Sequence, residues 1–408
     1  MKCPKLRPID AVAIRDGDRV YVQLYDPSRL SDKVLILPQE LMFVLALLDG
    51  AHTVRDIQAA LMRRFGELVS AEKIQEIVEH LDAALLLDGE RFRAHLREAE
   101  QAFRDSPVRP PSSAGSAYPA NPRKLAAELD GYFTTDGGPG RPSPGSGDGA
   151  LVGLVAPHID FQRGGPSYAH AYKALAEECS ADLFMIFGTA HFSQGAPYIL
   201  TTKSFQTPLG TLNADRGLVE ALAKRCGRDL FAEELVHKNE HSIELQVVFL
   251  QHVLGGRAIE IVPVLCGSMA EQIGEADSPR EVAEISDFLD ALRDVVAESG
   301  RKACAIAGAD LSHVGSQFGD EFPLSPQVMR DVERADRRML SHVERLDADA
   351  FFADVHSDGN ARHVCGAPPI YALLATTAAR RARLLDYRQA TDYDLQRAVT
   401  FAGLAFYK

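Results

Sequence analysis

The feature that most constrains this chain is a series of short, continuous apolar runs: LVGLVAP from residue 151, LFMIFG from 183, IEIVPVL from 259 and ACAIAG from 303. A strand with one face in water alternates apolar and polar residues, whereas a strand covered on both faces is apolar throughout, as in a parallel sheet flanked by helices. The runs are separated by stretches with helical spacing near 168–178, 216–224, 242–253, 281–299, 325–345 and 369–380. The expected fold class is therefore α/β, with a mostly parallel sheet flanked by helices over residues 114–408.

The first 96 residues read differently. An extended stretch near 19–24 precedes three helical patterns near 39–48, 54–64 and 71–81, with Thr53 placed as an N-cap. Two short apolar runs at 84–87 and 91–95 flank Asp88-Gly89, a dipeptide typical of a tight hairpin. This order predicts a small winged-helix-like α+β domain. Residues 97–113 pass through a charged tail into VRPPSS and are expected to form a linker. A second stretch, GGPGRPSPGSGDG at 137–149, reads as a surface loop inside the larger domain.

The formal net charge of −13 argues against a broad nucleic-acid or anionic-lipid footprint, so Arg63 and Arg64 do not make the first domain a DNA reader; docking or peptide binding fits better. No apolar run approaches the roughly 20 residues of a membrane span. The first residues lack the apolar core of a secretory signal, so a cytoplasmic location is expected. The six cysteines show no paired spacing, which implies free thiols and no iron–sulfur cluster.

In open α/β sheets ligands bind beyond the carboxyl ends of the strands. The first run here ends in APHID, with His158 and Asp160; the second in GTAHF, with His191; the fourth in GADLSH, with Asp310 and His313. A single such imidazole is most often a packed side chain. Histidines after three of four strands point instead to a shared metal-binding pocket, since neutral imidazole is the commonest ligand of zinc, copper and iron. In HKNEHSIELQ, His241 stands at the mouth of a helix and Glu244 in its first turn. Either both face the pocket or Glu244 only stabilises the helix end. Cys365, in VCGAPPI before a helix, is placed to be a low-pKa thiolate, the form that binds metal or attacks an electrophile. Cys266 and Cys304 lie in apolar runs and read as core.

The phrases SSAGSAYPANPRKLAAEL, LVAPHIDFQRGG, IFGTAHF, FQTPLGTL, EHSIELQVVFLQ, IVPVLCG, ADLSHVG and HVCGAPPI, in this order, resemble the MEMO family, called AmmeMemoRadiSam system protein B in bacteria and archaea. The resemblance covers residues 113–408 and implies a fold similar to LigB-type class III extradiol dioxygenases. It implies metal ligands at His158, His191 and Cys365, with His313, Asp310, His241 and Glu244 as acid, base or polar groups around them. Two positions depart from the family: Ile159-Asp160 stands where a small Ala-Gly pair is frequent, and Phe192 where a second histidine is frequent.

A thiolate beside imidazoles favours iron or copper over magnesium or calcium. The expected function is thus that of a metal-dependent oxidoreductase-like protein. The alternative is a non-catalytic accessory protein that binds a peptide, a small molecule or a companion radical-SAM enzyme.

Overall fold

The computed structural model describes residues 2–66, 68–143, 149–274 and 276–408. Residues 144–148 of the glycine- and proline-rich stretch lie outside the described residues. The chain divides into two compact units, residues 1–105 and 106–408. Among the described residues no helix is long and apolar enough to cross a membrane.

In the first unit β1 (Asp10–Asp16), β2 (Arg19–Tyr25) and β3 (Leu35–Pro38) form an antiparallel sheet in that order. A short α1 (Met42–Ala46) follows, then α2 (Val54–Phe65), α3 (Ala71–Ala83) and α4 (Glu90–Asp105). Thr53 caps α2 in a full capping box with Asp56. Val22 and Leu24 of the sheet pack with Ile57, Leu61, Ile74 and Leu81 of the helices into one core.

The hairpin expected across Asp88-Gly89 is not formed. Leu85 takes a left-handed φ of 61° at the end of α3, and 91–95 belongs to α4 instead. Phe92, Leu96, Ala99 and Phe103 recur at helical spacing, with Phe92 and Phe103 buried, so a helix pattern overrides the turn dipeptide. The unit is small and α+β as expected, but its strands precede its helices. The division between the units falls inside the expected linker at 97–113, but that segment is structured: α4 runs to Asp105, and β4 (Val108–Arg109) pairs in parallel with β8 (Ser204–Thr207).

The second unit continues through α5 (Pro122–Thr134), β5 (Leu151–Ala156), α6 (Phe161–Glu178), β6 (Leu183–Thr189) and β7 (Tyr198–Leu200). After β8 come β9 (Gly210–Leu212), α7 (Arg216–Cys226), α8 (Val236–Asn239), α9 (Ser242–Leu254) and β10 (Glu260–Cys266). The remainder is α10 (Ala270–Ile273), α11 (Ala283–Glu298), β11 (Ala303–Gly308), β12 (Asp310–Val314), α12 (Pro326–Glu344), α13 (Ala348–His356), α14 (Ala367–Thr376), β13 (Arg381–Asp392) and β14 (Arg397–Tyr407).

The four apolar runs are β5, β6, β10 and β11, and they lie side by side in parallel in the order β5-β11-β6-β10. Antiparallel strands extend this centre on both sides: β7 next to β10, and β14 next to β5, with β12 and β13 also on β14. Two apolar cores cover the two faces of the sheet. One holds residues of α11, α12, α13 and α14, the other residues of α5, α6 and α9. The α/β architecture is the expected one, with a parallel centre and antiparallel margins. Its consequence for function is that the loops after β5, β6 and β11 emerge on one edge.

A candidate metal centre at the sheet edge

His158 leaves the end of β5, His191 the end of β6, and His241 immediately precedes α9. Their ring centroids are 5.0 to 5.6 Å apart, with His191 and His241 stacked. A nitrogen from each ring lies within 4.8 Å of the others, a grouping that could hold a metal ion.

The local sequence explains the convergence. A Cβ on Gly308, at the end of β11, would come within 2.6 Å of the Ser242 carbonyl oxygen, so glycine there lets the first turn of α9 reach the strand ends. α9 is buried over most of its length, its polar Ser242, Glu244 and Gln246 included. Gly366 does the same beside Cys365, because a Cβ there would run into the Asp310 carbonyl oxygen. Thr189 donates its hydroxyl to the Cys365 carbonyl oxygen at 3.1 Å, tying that loop to the end of β6.

Each imidazole is oriented through Nδ1. His158 Nδ1 lies 2.9 Å from the Gly308 carbonyl oxygen, His191 Nδ1 3.0 Å from Glu240 Oε2, and His241 Nδ1 3.2 Å from Glu240 Oε1. With Nδ1 turned to oxygen, Nε2 is the nitrogen of each ring that could take a metal ion, the arrangement by which surrounding groups fix metal-ligating histidines. Cys365 Sγ lies 3.3 Å from His158 Nε2. Asp310 Oδ1 accepts from the His158 and Ile159 N–H groups at 2.9 and 3.1 Å, and its Oδ2 lies 3.7 Å from His158 Nε2.

The charges are mutually supporting. Burial works against a charged imidazole at His158, but Asp310 and then Cys365 outweigh it and lift its pKa to about 9. At His191 burial is likewise overcome, chiefly by Glu240, which holds the ring well above its ordinary value. Burial wins at His241, which falls to about 4. Burial alone would raise the Cys365 thiol, yet His158 and His313 pull it down to about 5. Burial also opposes ionisation of Glu240, but His191 and His241 keep it well below the usual carboxylate range. Three anionic groups, Glu240, Asp310 and Cys365, thus surround two rings that hold an extra proton, His158 and His191, and one neutral ring, His241, so a metal ion bound here would take the place of those protons. A cation fits this donor set.

The expected residues do not all meet there. His158, His191, His241, Asp310 and Cys365 gather at one edge, and His241, expected as a polar group around the metal ligands, sits among the imidazoles themselves. His313 borders the thiol side, with its Nδ1 3.1 Å from the Leu311 carbonyl oxygen. Glu244 is not a pocket group. It is fully buried, ion-paired with Arg109, and accepts from Ser112 and Ser113 N–H and from the Tyr118 hydroxyl. A buried carboxylate needs a cationic partner, and here the 109–118 segment supplies it. Asp160 caps α6 and pairs with Arg163 at 2.6 Å, which accounts for that carboxylate without a metal. Sequence reasoning missed Glu240: an acid adjoining a histidine reads as ordinary surface charge, and only the fold shows it buried between two rings.

A cleft of about 420 Å³ opens beside the cluster, with His191 and Cys365 in its lining.

The domain is thus an α/β unit with an imidazole cluster that could hold a metal ion, and a thiol beside it, at the carboxyl ends of its parallel strands. The chain belongs to the Memo-like protein family, whose model matches residues 109–405. A MEMO1 family protein of Aquifex aeolicus is 29% identical over 408 residues, covering 99% of this chain and all of that protein. One from Methanopyrus kandleri is 32% identical over 306 residues, 73% of this chain and 98% of its own. One from Thermus thermophilus is 28% identical over 83% of this chain and 94% of its own.

Proposed function

We propose that this protein is a redox-active metalloprotein that holds one iron or copper ion through His158, His191 and His241, with Cys365 as a fourth, thiolate donor. The observation that carries the reading is the convergence of the three rings, with Nδ1 of His158 and of His191 hydrogen-bonded to oxygen, beside a thiol 3.3 Å from His158 Nε2. Imidazole and thiolate donors suit iron and copper better than magnesium or calcium. When bound, such an ion supplies one-electron redox chemistry. The chain's own groups do the rest: Glu240 and the Gly308 carbonyl fix the tautomers, Asp310 balances charge at His158, and His313 stands next to the thiol to hold or release a proton.

The test is metal analysis of protein purified anaerobically without chelator, beside Cys365→Ser and His241→Ala. Near-stoichiometric iron or copper in the parent, reduced in both variants, supports the reading. A parent that refuses both added metals would falsify it.

A second reading, an accessory protein that docks a companion such as a radical-SAM enzyme, draws on the first unit. The β1–β3 sheet turns Val12 and Ile36, in line with Gln23 across the strands, to one face, where they are 48% and 60% exposed. Pull-down of such an enzyme that survives His191→Ala but not Val12→Asp would favour it.

A further inference from the structure

We infer that Asp336 is a positioning residue of the cluster: its buried carboxylate holds a bulge in β12 that turns Asp310 and His313 to the same side, and ties that strand to the loop carrying Cys365. The inference deepens the proposed function and rests on it only in that metal ligation is one of its two readouts.

Side chains alternate along a regular strand, so residues three apart face opposite ways. Asp310 and His313 nevertheless border the same cluster, Asp310 against His158 and His313 on the thiol side. The pairing of β12 with β14 shows how. Asp310 stands opposite Phe401 and His313 opposite Val399, an advance of three residues on β12 against two on β14. Such a bulge leaves one residue unpaired and reverses the phase of the side chains beyond it, which is how bulges re-aim groups beside functional sites. Ser312 N–H donates to the Thr400 hydroxyl oxygen at 2.9 Å in place of a main-chain carbonyl, and His313 N–H leaves the sheet for the Arg362 carbonyl oxygen at 2.8 Å.

Asp336 is the partner these groups share. Its Oδ1 accepts from the Ser312 hydroxyl at 2.6 Å and from Arg362 Nη1 at 2.9 Å, and its Oδ2 from the Thr400 and Tyr387 hydroxyls at 2.6 and 2.9 Å. One oxygen thus holds β12 and the loop before Cys365, while the other is anchored in the β13–β14 hairpin. The loop is laced to the main chain of β12 as well: besides the bond from His313 to Arg362, Gly366 N–H donates to the Asp310 carbonyl oxygen at 3.0 Å, with Cys365 lying between these two ties. The position of the carboxylate in α12 is the second argument. Met329, Val332, Met339, Leu340 and Val343 form the buried face of that helix, and Asp336 lies on it, wholly buried, where helical spacing calls for an apolar residue. Burial raises its carboxyl above the ordinary value, against the pull of its four donors. A buried ion pair is weak support for stability, and apolar replacements are often as stable or more so. What this carboxylate supplies is geometry, a fixed phase in β12 and a fixed distance from His313 to Cys365.

The experiment uses the full chain with cobalt(II) as the probe, because thiolate-to-cobalt absorption reads the bond to Cys365 separately from imidazole ligation; Cys365→Ser sets its baseline. Amide exchange of the metal-free chain, followed by mass spectrometry, reads residues 310–314 and 362–366 without any metal. Asp336→Asn keeps the volume and removes the charge. The expected result is a folded protein that binds cobalt about tenfold more weakly, loses most of the thiolate absorption per bound ion, and exchanges about tenfold faster in those two segments alone. Thr400→Val removes the acceptor of the Ser312 N–H at nearly constant shape; it should do the same, and it decides the matter should Asp336→Asn unfold the chain. Val343→Ala, a core loss about two turns further along the same helix, should lower stability and leave both the absorption and the local exchange unchanged. Parent-like absorption and exchange in the folded Asp336 or Thr400 variant, or the same changes in Val343→Ala, overturns the inference. Faster local exchange in a protein that takes neither cobalt, iron nor copper upholds the clamp and removes the metal centre. Cobalt held with full thiolate absorption in Asp336→Asn removes the clamp and leaves the metal centre standing.

Discussion

At His191 and His241 the ring positions depend on a single carboxylate, because buried Glu240 hydrogen-bonds His191 Nδ1, accepts from the His241 backbone N–H and lies 3.2 Å from His241 Nδ1. Glu240→Gln keeps the volume but removes the charge and one acceptor. Iron or copper affinity should fall about 10–100-fold with the cooperative unfolding transition retained. Competition titration against a chelator reads this, and unchanged affinity would show that the rings need no such support. A different residue sets a pH response. Burial depresses His237 from 6.5 to about 3, and its Nε2 donates to the Ile199 carbonyl oxygen at 3.0 Å. Between these two pH values the unfolded chain binds a proton that the folded chain refuses, so stability is lost as pH falls from about 6.5 toward 3. The slope is up to about 1.4 kcal/mol per pH unit. His237→Gln should flatten this fall, as measured by urea unfolding at pH 7 and pH 5; parallel losses in parent and variant would exclude the assignment. Residues following apolar runs, such as His158 and His191, were legible in the sequence because strand ends mark the ligand edge. Glu240 and the role of His237 were not, because burial of a polar side chain is decided by segments far away in the chain.

Among the elements, the segment 109–118 behaves as a strap fastened to α9. Arg109 is wholly buried, donating to the His237 and Glu240 carbonyl oxygens and pairing with Glu244. Removing one partner leaves the other charge buried alone, so Glu244→Ala should cost about 3–5 kcal/mol of stability. Metal capacity per folded molecule should be unchanged, since Glu244 is not in the cluster. Denaturant unfolding with metal titration checks both halves, and lost metal binding in a fully folded variant would return Glu244 to the pocket. Helices with clear caps and spacing were readable, α7, α9 and α12 within a few residues. The hairpin read at Asp88-Gly89 was wrong because the Phe92–Phe103 period was cut short at residue 95. The β13–β14 hairpin was not foreseen at all. Its first strand is polar and half-buried along most of its length, so neither continuous nor alternating hydrophobicity marks it.

On the scale of the whole molecule, every cluster residue falls between His158 and Cys365, inside the second unit. Relatives such as that of Methanopyrus kandleri match 73% of this chain over 98% of their own length, so the family exists without a counterpart to the remainder. Residues 106–408 expressed alone should therefore unfold cooperatively and bind the same metal with affinity within about threefold of the full chain. Failure to fold would assign the first unit a structural duty that its separate core does not suggest.

The strand β14 lies against β5 on one side and β13 on the other, almost entirely buried, although it is synthesised after all of them. While the ribosome is still making residues 397–407, β5 presents an unpaired edge and the sheet has a gap where β14 belongs. The strand that carries His158 at its end thus waits on the last strand for its partner. A nascent or prematurely stopped chain is in that sense an open sheet, exposed to strand exchange and to aggregation. Under the proposed function, metal acquisition would belong after translation, as the filling of a finished mould rather than the seed around which the chain collapses.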